Sequence, residues 1–80
     1  MSQSLNLSFL NNLFAGLTIA IGVAFPAWAI GKIGSSAVEG ISRNPEATPK
    51  IQTAMILAIA FAEAVAIYVL VITLLIKFVK

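Results

Sequence analysis

From Leu13 to Gly31 the chain carries no charged residue, and Thr18 is the only hydroxyl in that stretch. From Ala54 to Ile76 the apolar pattern returns, interrupted by a single charge, Glu63. Both stretches reach the roughly 20 residues that take an α-helix across a bilayer core, so the pattern predicts two membrane-spanning helices. Between them lies SRNPEATPK, residues 42–50, the most polar part of the sequence. Asn44-Pro45 and Thr48-Pro49 each set a residue able to cap a helix ahead of a proline suited to a first helical turn. The expected fold is an all-α membrane hairpin over residues 1–80. Its first helix covers about 5–42, its polar loop about 43–49 and its second helix about 50–78, with both termini on one side.

Helix 1 does not end at the membrane edge. Beyond Lys32, the residues Ile33, Ala37 and Ile41 keep one apolar face, and Glu39 stands four residues before Arg43, a supportive helical pair. Helix 1 is therefore expected to project past the bilayer before it turns. Lys32, Arg43 and Lys50 lie towards the loop, against Lys77 and Lys80 at the other end, a balance that favours a cytoplasmic loop. A secretory signal is the rival reading of the N-terminal half, because Ala27-Trp28-Ala29 fits a small-x-small cleavage pattern. The first thirty-one residues hold no Lys or Arg, so the basic region such a signal needs is missing.

Composition agrees with a membrane protein. Of the 80 residues 60% are hydrophobic and 10% charged, and mean hydropathy is +1.02. A soluble domain of this size could not cover its surface with so few polar groups. A net charge of +2 without a basic cluster excludes a nucleic-acid surface. Neither Cys nor His occurs, which removes disulfides, thiolate metal sites and the usual general base, so no metal site is expected.

Small residues recur every four positions. Helix 2 carries Ala54, Ala58, Ala62 and Ala66, with Ala60 and Ala64 beside them. Helix 1 carries Gly16, Ala20 and Ala24, then Ala27, Gly31 and Ser35. Such spacing lets helix backbones approach closely in lipid. Because the small residues fall on more than one face, neighbours on several sides are expected, hence an oligomer of hairpins.

Glu63 is the candidate functional residue. Lys50 precedes it by about 20 Å of helix and Lys77 follows by about 21 Å, which centres it in the membrane. A charged carboxylate there costs about 2.5–3.5 kcal/mol even on a lenient insertion scale. No cation falls at helical spacing on helix 2, and helix 1 is expected to offer none at that depth. The cheaper state is the neutral acid, since removal from water disfavours the charged form. A neutral acid still needs hydrogen-bond partners. Tyr68 is the nearby polar side chain of helix 2, and a free backbone carbonyl is the other candidate. A Glu that only glues helices together is the bland alternative. Membrane-embedded acids are tied more often to ion pathways. Without His or a second acid in the spans there is no relay, so one carboxyl that loads and unloads a single cation fits best.

At this point the chain resembles the c subunit of the F-type ATP synthase, the proteolipid of its membrane rotor, over essentially its whole length. The resemblance rests on the hairpin layout, on Arg43-Asn44-Pro45-Glu46, which is similar to the family's Arg-Gln/Asn-Pro loop, on Ala62-Glu63-Ala64 in mid-helix, and on the spacing between loop and carboxyl. It implies a closed ring of identical copies with helix 1 inside and helix 2 outside. It implies that Glu63 is reversibly protonated, neutral against lipid and ionised beside the stator's a subunit, which carries an essential Arg. Two offset half-channels then give the exchange direction, and Arg43, Asn44, Pro45 and Glu46 contact the central stalk. The chain would belong to an enzyme complex while holding no catalytic site for ATP. No cofactor is implied. The expected location is a bacterial plasma membrane, with the loop cytoplasmic and the termini opposite; the absence of an Arg-rich leader suits a bacterial or organelle-encoded chain.

The resemblance also bears on the ion. Sodium needs several oxygen ligands, and sodium-type members carry Gln in helix 1 and Ser and Thr just after the carboxylate. Those positions are Ile30, Ala64 and Val65 here. Glu63, Tyr68 and the carbonyl of Phe61 remain, a set suited to a proton. One departure from the family pattern is Val23-Ala24-Phe25-Pro26-Ala27-Trp28-Ala29-Ile30-Gly31, where alternating glycines are usual. Gly31 keeps its place, but Phe25 is bulky and Pro26 removes a helical hydrogen bond and is expected to bend helix 1. Phe25 and Trp28 are expected to meet lipid or a plug inside the ring. The runner-up function is a self-assembling hairpin channel or pore, disfavoured because a pore-lining face should carry more polar residues than one Glu and one Tyr. A membrane-anchoring protein would explain the carboxyl but not the loop.

Overall fold

The computed structural model describes residues 2–79, with side chains from Asn6 to Val79. Lys80, one of the cations expected at the terminal end, lies outside the described residues. Two helices, α1 (Ser2–Arg43) and α2 (Thr48–Phe78), are joined by one 3₁₀ turn, Pro45–Ala47. They form an antiparallel hairpin 66 Å long and only 17 × 9 Å across, about twice the length of a bilayer's hydrocarbon core. Both helices are apolar enough to span a membrane, with mean hydropathies of 2.0 and 2.6 in their richest windows.

The turn is tighter than expected and is built differently. Asn44 has extended φ/ψ of −141° and 80° and makes no side-chain cap. Its backbone N–H donates to the Gly40 carbonyl at 2.9 Å, and the Ala47 N–H donates to the Asn44 carbonyl at 3.0 Å. Thr48 is not a cap either: it is already helical, at φ −48° and ψ −49°, and its hydroxyl donates back to the Pro45 carbonyl at 2.6 Å. Both prolines sit in first turns, where a missing N–H costs nothing. The capping roles expected of Asn44 and Thr48 are thus corrected. The 3₁₀ turn feeds directly into α2, so backbone bonds and prolines do the capping.

The faces in contact follow one rule. On α1, Ala15, Gly22, Pro26, Ile33, Ala37 and Gly40 are buried or half-buried; on α2 the same holds for Ile51, Met55, Ala58, Ala62, Ala66, Val69 and Thr73. Each set advances by steps that combine three and four residues, close to the helical repeat, so the seam stays straight along the hairpin. Two glycines are required by this seam. A Cβ on Gly22 would lie 2.4 Å from a methyl of Val69, and one on Gly40 would lie 3.2 Å from Ile51. Pro26 sits in the seam as well, buried, and α1 continues through it. Its ring leaves the Gly22 carbonyl without the usual donor. Thr73 is the buried polar side chain, and its hydroxyl is satisfied by the Val69 carbonyl at 2.8 Å.

The open end is closed by polar contacts that sequence reading did not anticipate. The Asn11 amide donates to the Lys77 carbonyl at 3.1 Å, and the Lys77 ammonium donates to the Asn12 side-chain oxygen. They satisfy a carbonyl in the last turn of α2, where four carbonyls lack helical partners. Glu39 and Arg43 form the expected pair on the exposed face near the loop.

Candidate functional site

Two contacts fix the depth of every residue in the hairpin. Gly22 faces Val69 and Gly40 faces Ile51, and counting from either pair sets Trp28 level with Glu63. The same register sets Lys32 level with Ile59, about one helical turn, or about 6 Å, from the level of Glu63. At the level of Glu63 itself α1 offers Trp28 and no cation, and the nearest along α1 is Lys32, one turn away. Lys32 nevertheless does not pair with Glu63, because the two lie on different edges.

The edges follow from the helical step of about 100° per residue. Relative to the α1-facing stripe through Ala62, Glu63 is turned by about 100° to one side. Phe61 is turned by a similar angle to the other side, with Val65 and Tyr68 near it. Glu63 and Tyr68 are thus separated by about 140° around α2, on opposite edges of the hairpin. Their side chains are both exposed, and among the described residues neither makes a hydrogen bond. The structure does not bring Tyr68 to Glu63 within one chain.

The edges of α1 correspond. Lys32 and Ser36 share a groove with Ala54 and Ala58 of α2, which identifies that side as the Tyr68 edge. Phe14, Ile21 and Phe25 project towards it by the same count. The opposite side of α1, alongside Glu63, carries Gly16, Ala20, Ala27 and Gly31. A Cβ added to Gly16 or Gly31 would meet nothing within 4 Å. One edge is therefore small-residued and acidic; the other is bulky and bears the phenol. Ile59, Ile67 and Leu70 surround Glu63 on its own edge, and none offers a side-chain oxygen.

The loop residues Arg43, Asn44, Pro45 and Glu46 are all exposed at the far tip. From Pro45 to Glu63 is eighteen residues of nearly continuous helix, about 27 Å. The tip and the carboxyl are thus separate stations on one rod.

The family model for the ATP synthase C subunit matches residues 13–76. The ATP synthase c subunit of Dehalococcoides mccartyi strain CBDB1 is 46% identical over 67 residues, covering 84% of this chain and 88% of its own. That of Geobacter metallireducens is 48% identical over 66 residues, covering 82% and 72%. The chloroplastic ATP synthase c subunit of Ostreococcus tauri is 45% identical over 64 residues, covering 80% and 78%.

Proposed function

The chain belongs to the ATP synthase C-subunit family, the proton-translocating rotor component of the synthase's membrane sector, and we propose that Glu63 is the group that carries its proton. The observation that carries this assignment is the placement of a lone carboxyl at mid-span, on an exposed edge, among side chains without oxygen. Ionised, it would be costly there; protonated, it can face lipid. One charge crossing 100 mV is worth about 2.3 kcal/mol, so many such sites must act in turn.

Among the described residues Glu63 has no hydrogen-bond partner, and a second copy would supply what is missing. An edge with small residues faces one way and an edge with large residues the other, so identical copies meet head to tail, and a rotation that closes gives a ring. Gly16 and Gly31 support this: nothing in the hairpin needs them small, whereas a neighbouring helix does. In such a ring the Glu63 edge of one copy meets the Tyr68 edge of the next. Tyr68 can then accept or donate a hydrogen bond to the acid, and Phe61 with Val65 forms a dry wall. The Phe61 carbonyl, already in the helical ladder, keeps a second lone pair. With Ile30, Ala64 and Val65 at the positions that would otherwise bring oxygens, the set suits a proton and is poor for sodium.

At one point of the ring the stator's a subunit would present its Arg, favour ionised Glu63 and exchange the proton through offset half-channels. The exposed tip at Arg43, Asn44, Pro45 and Glu46 would grip the central stalk and pass on the torque. We place the loop in the cytoplasm of a bacterium, with the termini across the plasma membrane, from the distribution of basic residues.

The test is treatment of membranes with a hydrophobic carbodiimide, which attacks protonated carboxyls. Adduct on Glu63, faster at lower pH, with loss of ATP-driven proton pumping and no protection by sodium, is the expected result. Labelling elsewhere, or pumping that survives full labelling of Glu63, overturns the assignment; protection by sodium overturns the proton alone. Glu63→Gln should leave the ring assembled and abolish pumping.

A further inference from the structure

The chain has three carboxylates and five cations, and one of each stands near mid-span without a partner. Glu39 is held by Arg43, and Glu46 lies exposed at the tip, about 21 Å of helix from Lys32. Glu63 is the carboxylate that remains. Lys50 and Lys77 lie about 20 Å and 21 Å from it along α2, and Lys32 is the described cation within about 6 Å of its level. Among the described residues Lys32 makes neither an ion pair nor a hydrogen bond. Ionisable groups at such depth pair with one another or mark an ion pathway, because each alone is costly in hydrocarbon.

The two groups sit on complementary edges. Lys32 is exposed and shares its groove with Ala54 and Ala58, on the Tyr68 edge, whereas Glu63 is on the other. Copies related by rotation about an axis along the hairpin keep one level, so levels read within one hairpin hold between neighbours. Glu63 of one copy then lies between two polar groups of the next. Tyr68 is five residues, or about 7.5 Å, towards the termini, and Lys32 is about 6 Å towards the loop. These are the titratable groups that face it, since its own hairpin brings Ala27, Trp28, Gly31, Ile59, Ile67 and Leu70 to that edge and level. Lys32 also leans towards this level. Its ammonium lies 5.2 Å from the centroid of the Trp28 ring, within cation–π range, and Trp28 is level with Glu63. The four-carbon stem thus runs back towards the carboxyl, where a lysine seeking water would run to the loop.

We propose that Lys32 of one copy is the counter-charge of Glu63 in the next and completes the proton site from its loop side. The proposal rests on the ring reading, in which the two edges meet, and divides the labour within that site. Tyr68 serves the neutral acid, and Lys32 serves the carboxylate. An opposite charge nearby favours the ionised form, so the ammonium eases release of the proton. The carboxylate in turn stabilises an ammonium for which the groove of Ile51, Ala54, Met55 and Ala58 offers no anion. A fixed ammonium beside the carboxyl also repels a metal cation, in keeping with a proton as the passenger.

The test is the pH profile of carbodiimide labelling at Glu63, read by mass spectrometry on the assembled oligomer of the full chain in lipid vesicles. The reagent takes the protonated acid, and Lys32 favours the ionised one. Lys32→Gln should therefore raise the pH at which labelling is half-maximal by about one unit, with about ten-fold faster labelling on the alkaline side. Lys32→Arg keeps the charge and should restore the profile. If Lys32→Gln does not assemble, Lys32→Met, which keeps the apolar stem, takes its place. Mixed oligomers show which copy supplies the charge. When Lys32→Gln chains are diluted into excess Glu63→Gln chains, every Glu63 belongs to a chain without Lys32 but faces a neighbour that has it. The midpoint should then return to that of the unmodified oligomer. A midpoint that ignores Lys32→Gln, an arginine variant that behaves like the glutamine one, or a shift that persists on dilution each overturns the proposal. An unmodified chain that forms no oligomer, or an oligomer without label at Glu63, refutes the ring or the proton site and this pairing with it. A labelled Glu63 indifferent to Lys32 refutes the pairing alone.

Discussion

Gly22→Ala tests the register on which the depth and edge assignments depend. The added Cβ would lie 2.4 Å from one Val69 methyl and 3.2 Å from the other. Unstrained carbon contacts need about 3.5–4.0 Å, so the helices must part by about 1 Å or Val69 must turn. Valine in a helix has one strongly preferred rotamer, and the steps before and after Gly22 are already packed. Overpacking of this kind costs about 1–3 kcal/mol. Alanine regains about 0.5–1 kcal/mol of helix preference over glycine, so the single substitution should destabilise the hairpin by about 0–2.5 kcal/mol. Its coupling to Val69→Ala, which removes the clashing methyls, isolates the contact and should reach about 1–3 kcal/mol. The assay is dodecyl sulfate titration of the hairpin in mixed micelles, read by energy transfer between probes at the two chain ends. Gly16→Ala is the control, because its Cβ meets nothing; it should show only the preference gain. A cycle without coupling, or Gly22→Ala as stabilising as Gly16→Ala, refutes the register.

Three other outcomes are expected. Gly31→Leu places bulk on the Glu63 edge, where the hairpin leaves open space; in the dodecyl sulfate titration of the single hairpin it should show only a helix-preference gain of about 0.5–1 kcal/mol, while blocking ring formation on gels. Asn11→Ala deletes the donor to the Lys77 carbonyl and should cost about 0.5–1.5 kcal/mol in the same titration. Arg43→Ala breaks a pair whose side chains are 77% and 58% exposed. It should change stability by no more than about 0.5 kcal/mol, yet lower coupled ATP synthesis through the loop, read as proton flow without synthesis.

Much of the candidate site was legible because a bilayer imposes simple rules on one-dimensional sequence. Uncharged length gives the spans, a Pro-rich polar stretch gives the turn, and a lone acid between distant lysines stands out without any contact being known. Capping at Asn44 and Thr48 was misread for a local reason: a 3₁₀ turn and a proline can occupy the place where a side-chain cap would act. The polar closure by Asn11, Asn12 and Lys77 carried a faint signal, two adjacent amides just ahead of the first uncharged span. That signal gained meaning only when the ends were seen to meet.

The sequence by itself determined the helices, the depth of Glu63 and the poverty of oxygens around it, since these depend on order along one rod. Which small residues the hairpin itself requires and which it leaves facing open space was decided by tertiary structure. Gly22 and Gly16 look alike in sequence, but one meets Val69 and the other meets nothing. The same holds for Tyr68, five residues from Glu63 yet on the far edge, and for Lys32, distant in sequence yet one turn from its level. A helical angle is fixed only relative to a partner, and the partner's register comes from packing. The pairing of Gly22 with Val69 turned a list of residues into two edges, one awaiting the other.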